Sequence, residues 1–124
     1  MVGIVIVTHS RLLAEGIADE IKIMASDCPV ALAGGTADGG YGTSYEKIKA
    51  AVDAVHGADG VIVLTDMGSS AMTAEMLLEE PGYEDVLISD APLVEGALAA
   101  SLASVCGDDL ETVFRRAAET KSDK

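Results

Sequence analysis

The apolar run "GIVIV" at residues 3–7 ends in Thr8, His9 and Ser10, and a second run, "VIVLT" at 61–65, ends in Asp66 followed by "MGSS". An imidazole where a buried strand gives way to a helix is a nucleophile with backbone amide donors nearby, a place that welcomes an anion. Ser10 and the N–H groups after it can receive the oxygens of a phosphoryl group. A carboxylate at a neighbouring strand end can take the proton of one ring nitrogen, which leaves a free lone pair on the other and fixes the tautomer. The same residues have plainer uses. His9 can cap a helix or satisfy a loop, Asp66 can cap the helix after it, and N-capping accounts for one of Ser69 and Ser70.

These readings depend on the elements that carry the residues. Runs rich in Val, Ile and Leu at 3–7, 30–33, 60–65 and 86–89 lack clean alternation, which predicts strands buried on both faces. Segments of helical character lie between and after them, at 10–25, 43–56, 70–80, 93–105 and 108–119. Strands alternating with helices of this length predict an α/β fold, an open, doubly wound, mostly parallel sheet of four to five strands flanked by helices. Thr43 with Glu46 reads as a capping box, Asp108 with Glu111 as a cap for the last helix, and Gly57 after His56 as a helix stop. In such sheets ligands collect beyond the carboxyl ends of the strands, so His9, Asp66 and Asp90 are expected on one rim.

Beyond the second strand lies "GGTADGGYGT", five glycines in ten residues, which permits close backbone approach to a ligand or partner and serves equally as a connector. His56, at a helix end, reads as a surface residue or a partner of the helix dipole.

At 124 residues the chain fits one domain with a proper core, here 1–119, followed by a polar tail at 120–124. Only 3% of residues are aromatic, so aliphatic side chains, alanine and glycine must build that core. The formal charge of −13 repels phosphate backbones and anionic lipid, which argues against nucleic acid and membrane surfaces as partners. It leaves a solubilising face or a basic protein partner. The longest apolar stretch, "APLVEGALAASLASVC", carries Glu95 and is too short to span a bilayer. Cys28 and Cys106 form no C-x-x-C pair and no secretory signal precedes them, so reduced thiols in a cytoplasmic protein are expected.

Competing chemistries lack their motifs. There is no G-x-G-x-x-G after a strand and no G-x-x-x-x-G-K-[ST], residues 68–72 read "GSSAM" where a hydrolase elbow would need G-x-S-x-G, and two distant histidines make a poor catalytic metal site. A phosphoaspartate receiver needs acidic metal ligands where this chain has "THS".

The segments "IVIVTHS", "AGGTADGGYGTS", "VLTDMGSSAMTAEM" and "DAPLVEGALAAS" together resemble the phosphotransfer subunits of bacterial phosphoenolpyruvate-dependent dihydroxyacetone kinases and, more broadly, the mannose-type IIA (EIIA) domains of the sugar phosphotransferase system. The resemblance runs from residue 3 to about residue 107, and the glycine-rich and "APLVEGA" segments favour the dihydroxyacetone group. It implies that His9 accepts a phosphoryl group on Nε2 from the phosphocarrier HPr, with Asp66 holding Nδ1–H. It also implies that the group passes to ADP held in the nucleotide-binding (DhaL-type) kinase subunit, so that the chain needs no cofactor of its own, and that the chain forms a homodimer. Some relatives carry HPr-like and enzyme I-like domains after this one, so a separate HPr is the expected donor here. Thr8, Ser10, Gly35, Thr36, Gly68, Ser69 and Ser70 complete the expected site as phosphoryl- or partner-binding residues, with no metal. The alternatives are a mannose-type sugar IIA component and a non-catalytic regulatory or binding module on the same fold.

Overall fold

All four aliphatic runs form strands, in a computed structural model that describes residues 1–36, 38–40 and 42–121. Strand β1 (Gly3–Thr8) leads to helix α1 (Arg11–Met24), β2 (Val30–Gly34) to α2 (Tyr45–Val55), β3 (Val61–Thr65) to α3 (Gly68–Glu75), and β4 (Val86–Ser89) to α4 (Leu93–Val105) and α5 (Leu110–Ala118). The sheet has the order β2-β1-β3-β4, with every pair parallel. The chain winds one way from β1 to β2 and the other way from β3 to β4. The switch point therefore falls between β1 and β3, where an open α/β sheet leaves a crevice at its carboxyl rim.

Alternate residues of the two central strands feed separate cores. Ile4, Ile6, Ile62 and Leu64 pack with Ala14, Ile17, Ala97, Ala100 and Val113 under α1, α4 and α5. Val5, Val7, Val61 and Val63 pack with Ile48, Val52, Ala74 and Leu77 under α2 and α3. Both cores are aliphatic, as the composition requires. The edge strands depart from the expected double burial: residues 30–32 of β2 and Leu87 and Ile88 of β4 are half-buried, because each edge has a neighbour on one side only.

Several boundaries shift. The expected helix at 70–80 begins earlier, at Gly68, and tightens into a 3₁₀ turn at Met76–Glu79. Helix α2 is capped by Ser44, which accepts from the Lys47 N–H at 3.3 Å, and not by Thr43. Asp109, not Asp108, caps α5 by accepting from the Thr112 N–H at 2.9 Å. In both cases the neighbouring oxygen reaches the third N–H of the helix, so each cap slides by one residue. At the end of the chain Lys121 pairs with Asp90 at 3.0 Å; residues 122–124 of the expected tail lie outside the described residues, as do Ala37 and Tyr41 of the glycine-rich segment.

Candidate active site

The switch point places the first residue after β1 next to the first residue after β3. Asp66 accepts the backbone N–H of His9 on Oδ2 at 2.9 Å, and the His9 ring nitrogen Nδ1 lies 3.1 and 3.2 Å from Oδ1 and Oδ2. The Ser70 hydroxyl donates to Asp66 Oδ1 at 2.7 Å, and its oxygen is 3.2 Å from Nδ1. An ionised carboxylate only accepts, so the hydrogen-bond network assigns the ring proton to Nδ1 and the lone pair to Nε2. Burial pushes the Asp66 carboxyl up, but the His9 N–H, the Ser70 hydroxyl and the imidazole outweigh it and hold the group below the ordinary carboxylate range.

The His9 side chain is 23% exposed and that of Asp66 only 11%, so the carboxylate lies beneath a ring whose far nitrogen reaches the surface. There Nε2 meets the Ser69 hydroxyl at 2.8 Å. Helices α1 and α3 both begin beside the ring, and first-turn N–H groups have no partners within their own helix. Their partial positive charge gives a strongly acidic chain an anion-tolerant spot. Arg11, the cation nearest His9 in sequence, is paired with Glu15 at 2.9 Å.

The carbonyl of His9 is fixed as well. It accepts the N–H of Gly42 at 3.0 Å, which draws the glycine-rich segment against the site. Gly42 has φ +132°, a backbone conformation that favours glycine. Gly34, at the end of β2, lies so close to the start of α1 that a Cβ there would come within 2.8 Å of the Arg11 Cα. These contacts fix the turn that presents His9.

The other expected site residues separate by position. Gly68 and Ser69 are exposed in the first turn of α3, while Ser70 is fully buried with its hydroxyl on Asp66. Ser10 is the half-buried N-cap residue of α1 and makes no side-chain cap bond. Thr8 does not present its hydroxyl at the surface: it is fully buried and donates to the Ser10 carbonyl at 2.5 Å, holding the turn between β1 and α1. Gly35 is buried, with its N–H on the Thr8 carbonyl at 3.0 Å, and the Thr36 hydroxyl is engaged within its own loop by Asp38 and the Gly40 N–H. Asp90 shares the rim, lining one cavity with Asp66 and Gly68, but its carboxylate pairs with Lys121 at 3.0 Å. Asp66 does not cap α3 in the usual way, since its oxygens are taken by His9 and Ser70. Among the described residues no group of three or more His, Cys, Asp or Glu side chains is placed to hold a metal ion, and no helix is long and apolar enough to cross a membrane.

Gly42, Thr43 and Thr73 are not among the expected site residues: Thr43 reads as a helix cap and Gly42 only as part of the glycine-rich segment. Thr73 donates to the Ser69 carbonyl at 3.0 Å and Thr43 lies 3.3 Å from the Thr73 hydroxyl. The glycine density around Gly42 was a signal for close approach, but nothing local named His9 as what it approaches.

The site lies within a stretch that matches a family model. Residues 3–114 match EIIA-man, described as the PTS system fructose IIA component. Over 97 residues the chain is 39% identical to "PEP-dependent dihydroxyacetone kinase 1, phosphoryl donor subunit DhaM" of Listeria innocua, covering 78% of this chain and 77% of that protein. It is also 39% identical over 121 residues to "PEP-dependent dihydroxyacetone kinase, phosphoryl donor subunit DhaM" of Escherichia coli strain K12, which covers 92% of this chain but only 26% of the relative, so the chain spans about a quarter of that protein's length. A crystal structure titled as that of an unknown function protein, EF1359, superposes with a TM-score of 0.85 at 28% identity, covering 99% of this chain and 98% of the other. The chain belongs to the EIIA-man family and, within it, to the DhaM-type subunits.

Proposed function

We propose that the chain is a phosphohistidine carrier in which His9 Nε2 accepts a phosphoryl group from phosphorylated HPr and passes it to ADP bound in the nucleotide-binding subunit of a dihydroxyacetone kinase. The observation that carries this reading is the division of the imidazole: Asp66 engages Nδ1, and Nε2 faces the surface between two helix starts. The names of the DhaM relatives support the choice of acceptor.

In the loading step the Nε2 lone pair forms the new N–P bond as the P–N bond on the donor breaks, and that bonding pair returns to the donor's ring nitrogen. The PO₃ unit moves between two nitrogens and nothing is oxidised or reduced. Because Nδ1 keeps its proton, the ring becomes cationic as the bond forms, beside the Asp66 carboxylate. A cationic ring is also a good leaving group. In the second step an oxygen of the ADP β-phosphate takes the phosphoryl group and the bonding pair returns to Nε2. The chain's part in both steps is positioning and charge stabilisation. Ser10, Gly68, Ser69 and the N–H groups at the starts of α1 and α3 are the donors for the phosphoryl oxygens, while Gly35 and Thr36, whose N–H and hydroxyl are engaged by Thr8 and Asp38, support the turn from the glycine-rich segment.

The proposal includes a homodimer working in the cytoplasm, with no cofactor of its own because the nucleotide belongs to the acceptor. Intact-protein mass spectrometry after incubation with phosphoenolpyruvate, enzyme I and HPr tests it. One acid-labile phosphoryl group on the wild type and none on His9→Ala is expected, followed by its loss, with ATP formed, on adding the ADP-loaded kinase subunit. An unmodified wild type with an active HPr overturns the carrier reading; transfer to a IIB sugar protein in place of ADP turns it into a sugar-transport component.

A further inference from the structure

We infer that the Ser69 hydroxyl is a gate on the nucleophile, occupying the Nε2 lone pair in the resting site and swinging aside before that nitrogen can bond phosphorus. The inference rests on the carrier reading for its meaning, and its geometry stands on the site itself. With the ring proton committed to Asp66, Nε2 can only accept, and the Ser69 hydroxyl 2.8 Å away is the group that donates to it. A lone pair engaged at that distance points at the serine oxygen. The phosphorus of an incoming group must approach along the same direction, so hydroxyl and phosphoryl group compete for one position.

The two adjacent serines are not equivalent. Ser70 is fully buried and its hydrogen is spent on Asp66, so it belongs to the platform under the ring. Ser69 is exposed, and its side chain can change rotamer without disturbing the core. Its backbone is held still. The Thr73 hydroxyl donates to the Ser69 carbonyl at 3.0 Å, which spends Thr73's hydrogen, so Thr43 must be the donor in the 3.3 Å contact between the two threonine hydroxyls. Thr43 directly follows Gly42, whose N–H holds the His9 carbonyl. One short segment therefore braces both the residue that carries the nucleophile and the turn that carries its gate. Opening reduces to a rotation about the Ser69 Cα–Cβ bond, after which the hydroxyl lies beside the phosphoryl oxygens and can donate to one of them.

The test is the rate at which diethyl pyrocarbonate, which acylates unprotonated imidazole nitrogens and needs no docking partner, modifies His9, followed by peptide mapping. His56 is the internal reference, remote in sequence and held through Nε2 by Asp85 at 2.7 Å. For Ser69→Ala, His9 is expected to react about three- to tenfold faster, the scale of one lost hydrogen bond, with the His56 rate unchanged. Ser69→Thr, which restores a hydroxyl, is expected to return the rate toward wild type. An unchanged or slower His9 rate in Ser69→Ala, with His56 unchanged, overturns the gate. Failure of HPr to phosphorylate the wild type overturns the carrier reading instead, and the acylation rates report on the gate independently.

Discussion

Asp66 grips His9 at two points, taking the backbone N–H on Oδ2 at 2.9 Å and facing the ring nitrogen Nδ1 at 3.1 Å from Oδ1. The double contact fixes where the residue sits and how its ring is turned. Asp66→Asn keeps the shape but offers an amide that can donate as well as accept, so the ring proton is no longer committed to Nδ1. Phosphoryl transfer through His9 is expected to fall by up to about 10⁴-fold, the loss that follows when the carboxylate orienting the histidine of a Ser-His-Asp triad is amidated. Single-turnover kinetics with phosphorylated HPr measures it, alongside circular dichroism to verify the fold; an unchanged rate removes Asp66 from the mechanism.

The same carboxylate links the site to acid stability. Its proton affinity is lower in the folded chain than in the unfolded one, so above the ordinary aspartate value of about 3.9 its contribution to stability is fully present. As the pH falls from there, the unfolded chain binds the proton first. The contribution is lost progressively until the pH has passed the lowered folded value. Urea unfolding between pH 5 and the acid limit is expected to show a shallower loss of stability for Asp66→Asn than for wild type. Asp38, Asp90 and Asp109, whose carboxyls are also held low by local hydrogen bonds, sustain the remaining slope.

Gly42 combines a φ of +132° with the N–H that holds the His9 carbonyl. A Cβ there would meet the Thr36 Cγ2 at 2.9 Å in a conformation that side chains rarely adopt. Gly42→Ala is expected to cost about 1–3 kcal/mol of stability and to lower the transfer rate through misplacement of His9. Denaturant midpoints and transfer kinetics read the two effects separately. A variant as stable and as fast as wild type would show that the glycine-rich segment is not a brace for the site.

How far the sequence disclosed this arrangement can be judged at Ser69 and Ser70. The strand ends were readable because long Val and Ile runs stop abruptly at Thr8 and Thr65, and an α/β sheet that winds both ways brings two such ends together. That pattern places His9, Asp66 and Asp90 on one rim, and the resemblance to the IIA domains singles out the first two. Which serine meets Nε2 and which supports Asp66 depends on where α3 begins: a helix begun at Ser70 leaves Ser69 outside it, whereas the helix that begins at Gly68 holds both in its first turn. The Gly42 N–H was beyond reach for another reason: a backbone donor crossing from one loop to the carbonyl of another leaves no trace in residue type. The caps slid by one residue because Thr43 and Ser44, or Asp108 and Asp109, are chemically interchangeable until the geometry selects one.

The second histidine is a natural control, since it too is paired with an aspartate. His56 uses Nε2 for Asp85 at 2.7 Å, and its ring stacks on Tyr83 with centroids 5.7 Å apart. The Tyr83 hydroxyl in turn donates to Asp53 at 2.7 Å, a bond that, with the nearby negative charge, pushes the phenol up to about 12. His56 follows α2 and Asp85 precedes β4, so this cluster sits at the amino end of the strands, away from the rim that carries His9. The start of α5 lies nearby, sharing a cavity with Asp85, but it carries Asp109 as its cap and Glu111 in its first turn, and the nitrogen that would be equivalent to the one exposed in His9 is already bound to Asp85. His56→Gln is therefore expected to leave one phosphoryl group per chain and an unchanged transfer rate. Asp53→Asn should return the Tyr83 phenol toward the ordinary value of about 10, followed by phenolate absorbance, again without touching transfer. Loss of phosphorylation in His56→Gln with the fold intact would mean that the division of ring nitrogens does not select the acceptor.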